Sequence, residues 1–93
     1  MVIGLLTLEI HLHSAQSLKD KRQVLLRVKD RLRHKFNVAV AEVDHQDTWQ
    51  RATLGVVSVS SSEQNLRQVL DGAEREVESL VEDGSVVGRI ELL

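Results

Sequence analysis

The sequence predicts an α+β fold of βαββαβ order, with a four-stranded antiparallel sheet and both helices on one face. Three observations predict it. Four segments alternate apolar and polar residues with a period of two. Two others carry apolar stripes at helical spacing. The connection between the second and third strands is polar and too short to hold a helix. Right-handed crossovers then give the strand order 4-1-3-2, the split-βαβ or ferredoxin-like arrangement, in one domain over residues 1–93. A doubly wound sheet would need a helix between the middle strands, and the chain leaves no room for one.

Residues 2–13 read as the first strand. Val2, Leu6, Leu8, Ile10 and Leu12 form one apolar face, while the other face turns polar at Thr7, Glu9, His11 and His13. A short loop follows, and Ser17 with Asp20 resembles a capping box in which Asp replaces the usual Glu. The first helix covers 18–35, with Leu18, Leu25, Val28, Leu32 and Phe36 on one stripe and Lys19, Gln23, Arg27, Asp30 and His34 opposite. Residues 37–45, rich in valine, form the second strand, and 51–60 form the returning one. Ser61 or Ser62 caps a second helix over 63–82, whose stripe is Leu66, Val69, Leu70, Ala73, Val77, Leu80 and Val81. Gly84 is read as its stop, and 86–92 as the last strand.

Composition excludes several classes of function. The chain has no cysteine, so disulfides, thiolate metal sites and a cysteine nucleophile are out. No apolar run reaches the ~20 residues of a membrane span. The apolar start lacks the basic region and cleavage site of a secretory signal, so a cytoplasmic protein without membrane association is expected. The net charge of −2 conceals an asymmetry. Residues 18–35 hold eight basic side chains against Asp20 and Asp30, whereas 63–83 hold seven acids against Arg67 and Arg75. Any polyanion would therefore meet a local basic stripe, not a basic surface.

The topology collects polar residues at one end of the domain. His11, His13, Ser14, Gln16, Ser17, Lys19, Lys21, Arg22, Asp44, His45, Gln46, Asp47, Trp49, Gln50 and Arg51 are all expected there, beside the start of the first helix. A helix N-terminus offers unpaired N–H groups and partial positive charge, which suit an anion. Lys19, Lys21, Arg22 and Arg51 are the expected phosphate contacts, and Trp49, Gln50 and His45 the expected contacts to a base or partner. The competing reading is structural. In it Lys21 and Arg22 pair with Asp44 or Asp47, and Trp49 plugs the end of the core.

Other chemistries find less support. His11 and His13 share a strand face about 7 Å apart, and Asp44, His45 and Asp47 are near in sequence, but no spacing matches a metal signature. Ser14, His13 and Asp44 could be assembled as a nucleophilic triad, yet no nucleophile elbow surrounds Ser14. An unidentified enzyme using the His/Asp cluster is carried only as a third reading. There is no glycine-rich phosphate cradle. The central strands lack the aromatics of an RRM, and no GXXG loop marks a KH domain. No catalytic residue, metal or cofactor is therefore expected. The basic character of the first helix is explained equally well by attraction to the acidic second helix.

The face of the sheet away from the helices is expected to expose Ile3, Leu5, Val57, Val59 and Val87. If Glu42 and Asp44 point outward, Val38 and Val40 join them. An apolar patch of this kind marks an interface, here homo-oligomerisation.

The opening Met1-Val2-Ile3-Gly4, the stretch Ser17-Leu18-Lys19-Asp20-Lys21-Arg22 and the long run from Phe36 to Ala52 (FNVAVAEVDHQDTWQRA) resemble the YlxP-like family of small bacterial proteins. The resemblance covers essentially the whole chain and implies a ferredoxin-like fold. It departs at His13-Ser14, where relatives often carry Leu-Pro before the loop. Members look like companions of the transcription and translation machinery, which implies association with RNA or a ribosomal subunit. The expectation is thus a non-enzymatic accessory protein contacting RNA. The alternative is a dimeric small-ligand or protein-interaction module.

Overall fold

The computed structural model describes residues 1–93. The elements are β1 (Val2–Leu12), α1 (Leu18–Lys35), β2 (Ala39–Asp44), β3 (Arg51–Ser60), α2 (Glu63–Leu80) and β4 (Gly84–Leu92). They form one antiparallel sheet of order β2-β3-β1-β4, the order expected from the sequence read from the other edge.

Alternation in β1 divides its side chains as the period of two requires. Leu6, Leu8, Ile10 and Leu12 are buried beneath the helices, with Leu54 and Val56 of β3 beside them. Leu25, Val28 and Leu32 of α1 and Leu66, Leu70, Ala73 and Val77 of α2 close the layer from above. Gly4 allows the close approach of α2, because a Cβ there would meet Leu66 and Leu70 at 2.9 Å.

Both helices start on a serine. The Ser17 hydroxyl accepts from the Asp20 N–H at 3.1 Å, and the Asp20 carboxylate accepts from the Gln16 N–H at 3.0 Å, one residue earlier than in a standard capping box. Ser62 caps α2 by accepting from the Asn65 N–H at 3.3 Å.

Gly84 does not stop α2. The helix ends at Leu80 with Val81 as its cap, and Gly84 opens β4 with no positive φ. Its small size is needed for another reason: a Cβ would be driven into the His11 carbonyl oxygen of the neighbouring strand. On β2, Val40 and Glu42 point toward the helices, while Val43 and Asp44 are exposed. The expectation that Val38 and Val40 could face outward with Glu42 is corrected: Val40 is buried, Val38 packs against the core, and Glu42 is held inward by an ion pair described next.

Candidate functional site: the junction of α1 with the β2–β3 turn

Lys21 is 1% exposed, and it is the residue that builds this end of the molecule. It lies four residues before Leu25 and seven before Val28, in phase with the buried stripe of α1. Its ammonium donates to the His45 carbonyl at 2.5 Å and to the Thr48 carbonyl at 2.7 Å. Glu42 Oε2 lies 2.8 Å away as an ion-pair contact, off the direction of a well-aligned hydrogen bond. The side chain of the first helical turn is thereby fastened to the backbone of the turn that carries Trp49.

Two further bonds close the junction. The Gln50 side-chain amide donates to the His13 and Ala15 carbonyls at 3.3 and 3.2 Å. The Leu12 N–H donates to the Gln50 carbonyl at 2.9 Å. Inside the turn, Asp44 Oδ1 accepts from the His45 N–H at 2.7 Å, and the Thr48 N–H donates to the His45 carbonyl at 3.0 Å. His45 has φ of 63°, in the left-handed region that costs a non-glycine residue about 1 kcal/mol or more. The rest of the turn holds it there.

The expected site residues separate into two groups. Lys21 is removed from the phosphate contacts: it is buried, and its ammonium is enclosed by the His45 and Thr48 carbonyls and the Glu42 carboxylate. Its partner is Glu42, not Asp44 or Asp47. Gln50 is largely committed to the β1–α1 loop. Lys19, Arg22 and Arg51 are exposed, and none is in an ion pair or side-chain hydrogen bond. Trp49 is 49% exposed, so it does not plug the core. The His45 ring is half-buried, with Nε2 3.9 Å from Asp44 Oδ2.

The remaining cations of α1 are largely spoken for. Arg31 and Lys35 reach opposite oxygens of Glu76 on α2 at 2.9 and 2.6 Å. The hydrogen bond from Lys35 above all, with help from Arg31, holds the Glu76 carboxyl below the usual carboxylate range against an opposing desolvation. Arg27 donates to the Leu80 carbonyl and Arg33 to the Val40 carbonyl. The attraction of a basic α1 for an acidic α2 is thus realised at its C-terminal half and absent at its first turn.

The His/Asp constellation does not assemble. His11 and His13 are neighbours, with ring centroids 6.5 Å apart, but Asp44 is exposed at the end of β2, which β3 separates from β1. No three His, Asp or Glu side chains gather where a metal ion could sit. A cleft of about 300 Å³ does open beside α1, lined by Leu12, Ala15, Asp20, Arg27, Leu80 and Asp83 among others, and it excludes the histidines and Trp49.

On the open face, Ile3 pairs with Val59 and Leu5 with Val57 across β1 and β3, giving a contiguous apolar half. Val87 is not part of it. It stands opposite Glu9, which itself accepts from the Thr53 hydroxyl at 2.9 Å, so a polar half of the face separates it from the other four.

No helix is long and apolar enough to cross a membrane. Among solved structures the fold is similar to a de novo designed ferredoxin-fold protein, LFR1 1, with TM-score 0.67 and 12% identity over 98% of this chain and 86% of that one. It is similar also to SnoaB, a cofactor-independent oxygenase from Streptomyces nogalater (TM-score 0.65, 10% identity, 98% and 92% coverage). A C-terminal segment of the alpha subunit of aIF2 from Pyrococcus abyssi matches with TM-score 0.62 and 15% identity over 97% of this chain and half of that one. At these identities the likeness concerns the fold alone.

Sequence relatives are more informative. The "Uncharacterized protein YlxP" of Bacillus subtilis (strain 168) is 45% identical over 73 residues, spanning 74% of this chain and 79% of that protein. Residues 3–87 match the family described as "Protein of unknown function (DUF503)", and with that match the chain belongs to the DUF503 family, the family of YlxP.

Proposed function

We propose that this protein contacts single-stranded RNA through the junction of α1 with the β2–β3 turn, without catalysing a reaction. The carrying observation is the division of labour among the cations. Arg27, Arg31, Arg33 and Lys35 find acceptors within the chain, while Lys19, Arg22 and Lys29 of α1 and Arg51 of β3 are in no ion pair or side-chain hydrogen bond, and Arg51 follows the exposed Trp49 by two residues. Lys21 fixes the spacing between the cations on the helix and the indole on the turn, so the surface is arranged before any ligand arrives. Lys19, Arg22 and Arg51 contact phosphates. Trp49 stacks on a base, an interaction of about 1–3 kcal/mol that tolerates any sequence.

Three phosphate contacts on a single strand predict a slope of about −2 for log K against log salt. The test measures binding of fluorescent single-stranded RNA by wild type, by K19A/R22A/R51A and by W49A across salt concentrations. The triple variant is expected to lose the slope, and W49A about tenfold in affinity. Equal affinity in a folded triple variant would end this reading.

A second reading is favoured by the Ile3/Val59 and Leu5/Val57 pairs, where Val57 and Val59 are 38% and 47% exposed. Two copies would pack these halves of their sheets together. Sedimentation over a range of concentrations tests it. Wild type is expected to dimerise and V57E/V59E to stay monomeric, and a wild type that is monomeric throughout removes the reading.

A further inference from the structure

The two edges of the sheet are treated differently by the sequence. β2 is six residues long, with a register shift between Glu42 and Asp44 that twists its end out of line. Short, bulged edges resist pairing with another chain. β4 runs nine residues, pairs with β1 in unbroken register, and carries no proline. The Leu93 N–H donates to the Ile3 carbonyl, and the Asp83 carbonyl accepts from the His13 N–H. These bonds at opposite ends fix the parity of the strand. Odd-numbered residues of β4 turn their backbone groups toward β1, and Gly84, Val86, Gly88, Ile90 and Leu92 turn theirs outward with no partner.

A row of carboxylates accompanies this edge. Asp71, Glu74 and Glu78 follow at spacings of three and four on α2, and none is in an ion pair. Glu74 lies directly over Gly88, where an added Cβ would collide with its carboxylate. Partial burial first, then the charges of Glu78 and Asp71, push the Glu74 carboxyl up from its ordinary value. Negative charge without an ion-pair partner therefore lines the helix side of an unpaired strand, with Arg75 the cation nearest to it in sequence on α2. Pairing β4 with β4 of a second copy would set two such rows against each other.

We infer that the β4 edge accepts an extended basic protein segment as a fifth strand, whose cationic side chains on the helix side meet Asp71, Glu74 and Glu78. The added strand takes the outward backbone groups of Val86, Gly88 and Ile90, which supply affinity, while the acidic row selects for arginine or lysine at alternate positions. Residues between them lie on the open side, beside Val87, which is 66% exposed. The interface is on the opposite edge of the sheet from β2 and does not depend on the RNA reading.

The experiment uses a synthetic peptide of alternating arginine and valine, about eight residues long. Its controls are an alternating glutamate–valine peptide and the arginine peptide N-methylated at alternate residues. Amide hydrogen exchange is expected to slow at Val86, Gly88 and Ile90 with the arginine peptide alone. Affinity should fall about tenfold in D71N/E74Q/E78Q, as loss of two or three solvated charge pairs implies. Three outcomes would overturn the inference: no protection of these amides at saturating peptide, undiminished affinity in the triple variant, or protection that rises with protein concentration in the absence of peptide. The last would assign the edge to a second copy.

Discussion

The buried Lys21 ammonium lies 2.8 Å from Glu42 Oε2, so the first turn of α1 and the second strand are joined by charge beneath the surface. The two carbonyls of His45 and Thr48 complete its surroundings. Removing one partner of such a group strands the others, at a cost of about 3 kcal/mol. Lys21→Ala is expected to lose about that much in urea unfolding. Glu42→Gln should lose less, since its side chain is 20% exposed and can turn to water. The double variant should show clear coupling, and purely additive losses would mean that the pair is incidental.

His45 should be improvable. Its φ of 63° suits glycine, and the Lys21 bond goes to its backbone, not its ring. His45→Gly is expected to stabilise by about 0.5–1 kcal/mol, offset in part by the freedom glycine gains in the unfolded chain. His45→Val, with a branched Cβ in the same conformation, should destabilise by at least about 1 kcal/mol. Thermal unfolding of the two variants provides the comparison, and a loss in the glycine variant would show that the imidazole contributes more than its backbone costs.

Gly84→Ala places a methyl group against the His11 carbonyl oxygen, a backbone atom that cannot swing aside. The strands must separate locally, and a loss of about 2 kcal/mol or more is expected in urea unfolding. Gly88→Ala meets only the flexible end of Glu74 and should cost far less. The contrast between the two positions is the measurement.

The element order was legible because it rests on apolar periodicity, and each of the six segments keeps its period. The candidate site was only half legible. Lys21 looked like one more cation in a basic helix, although it shares the phase of Leu25, Val28 and Leu32. Glu42 likewise shares the parity of Val40. A charge in phase with a core stripe on one element, matched by the opposite charge in phase on its neighbour, is the signal that would have found the pair. Gly84 misled for a different reason. A glycine after a helix usually supplies a left-handed cap, and here it supplies clearance between strands, which only the register with β1 discloses. The exposed cations could not be sorted from the engaged ones by sequence, because Arg31 and Lys35 meet Glu76 from 45 and 41 residues away.

Acid titration should separate two glutamates of α2 with opposite signs. Glu76 is held below its ordinary value of 4.5, first by Lys35. Its contribution to stability is present above that value and is lost as pH falls through the lower folded value. Glu74 is raised, first by desolvation and then by Glu78 and Asp71. Its ionised form is disfavoured in the folded chain, so protonating it as pH falls toward 4.5 stabilises the protein. Wild-type melting temperature is therefore expected to rise slightly on mild acidification and then to fall. Glu74→Gln should remove the rise and, by relieving an i,i+4 like-charge pair with Glu78, stabilise the protein at neutral pH by about 0.3 kcal/mol. Glu76→Gln should lower stability at neutral pH and flatten the acid limb. Melting curves of the three proteins between neutral pH and about pH 3 measure both effects, and identical acid limbs for wild type and Glu76→Gln would contradict the role given to Lys35 and Arg31.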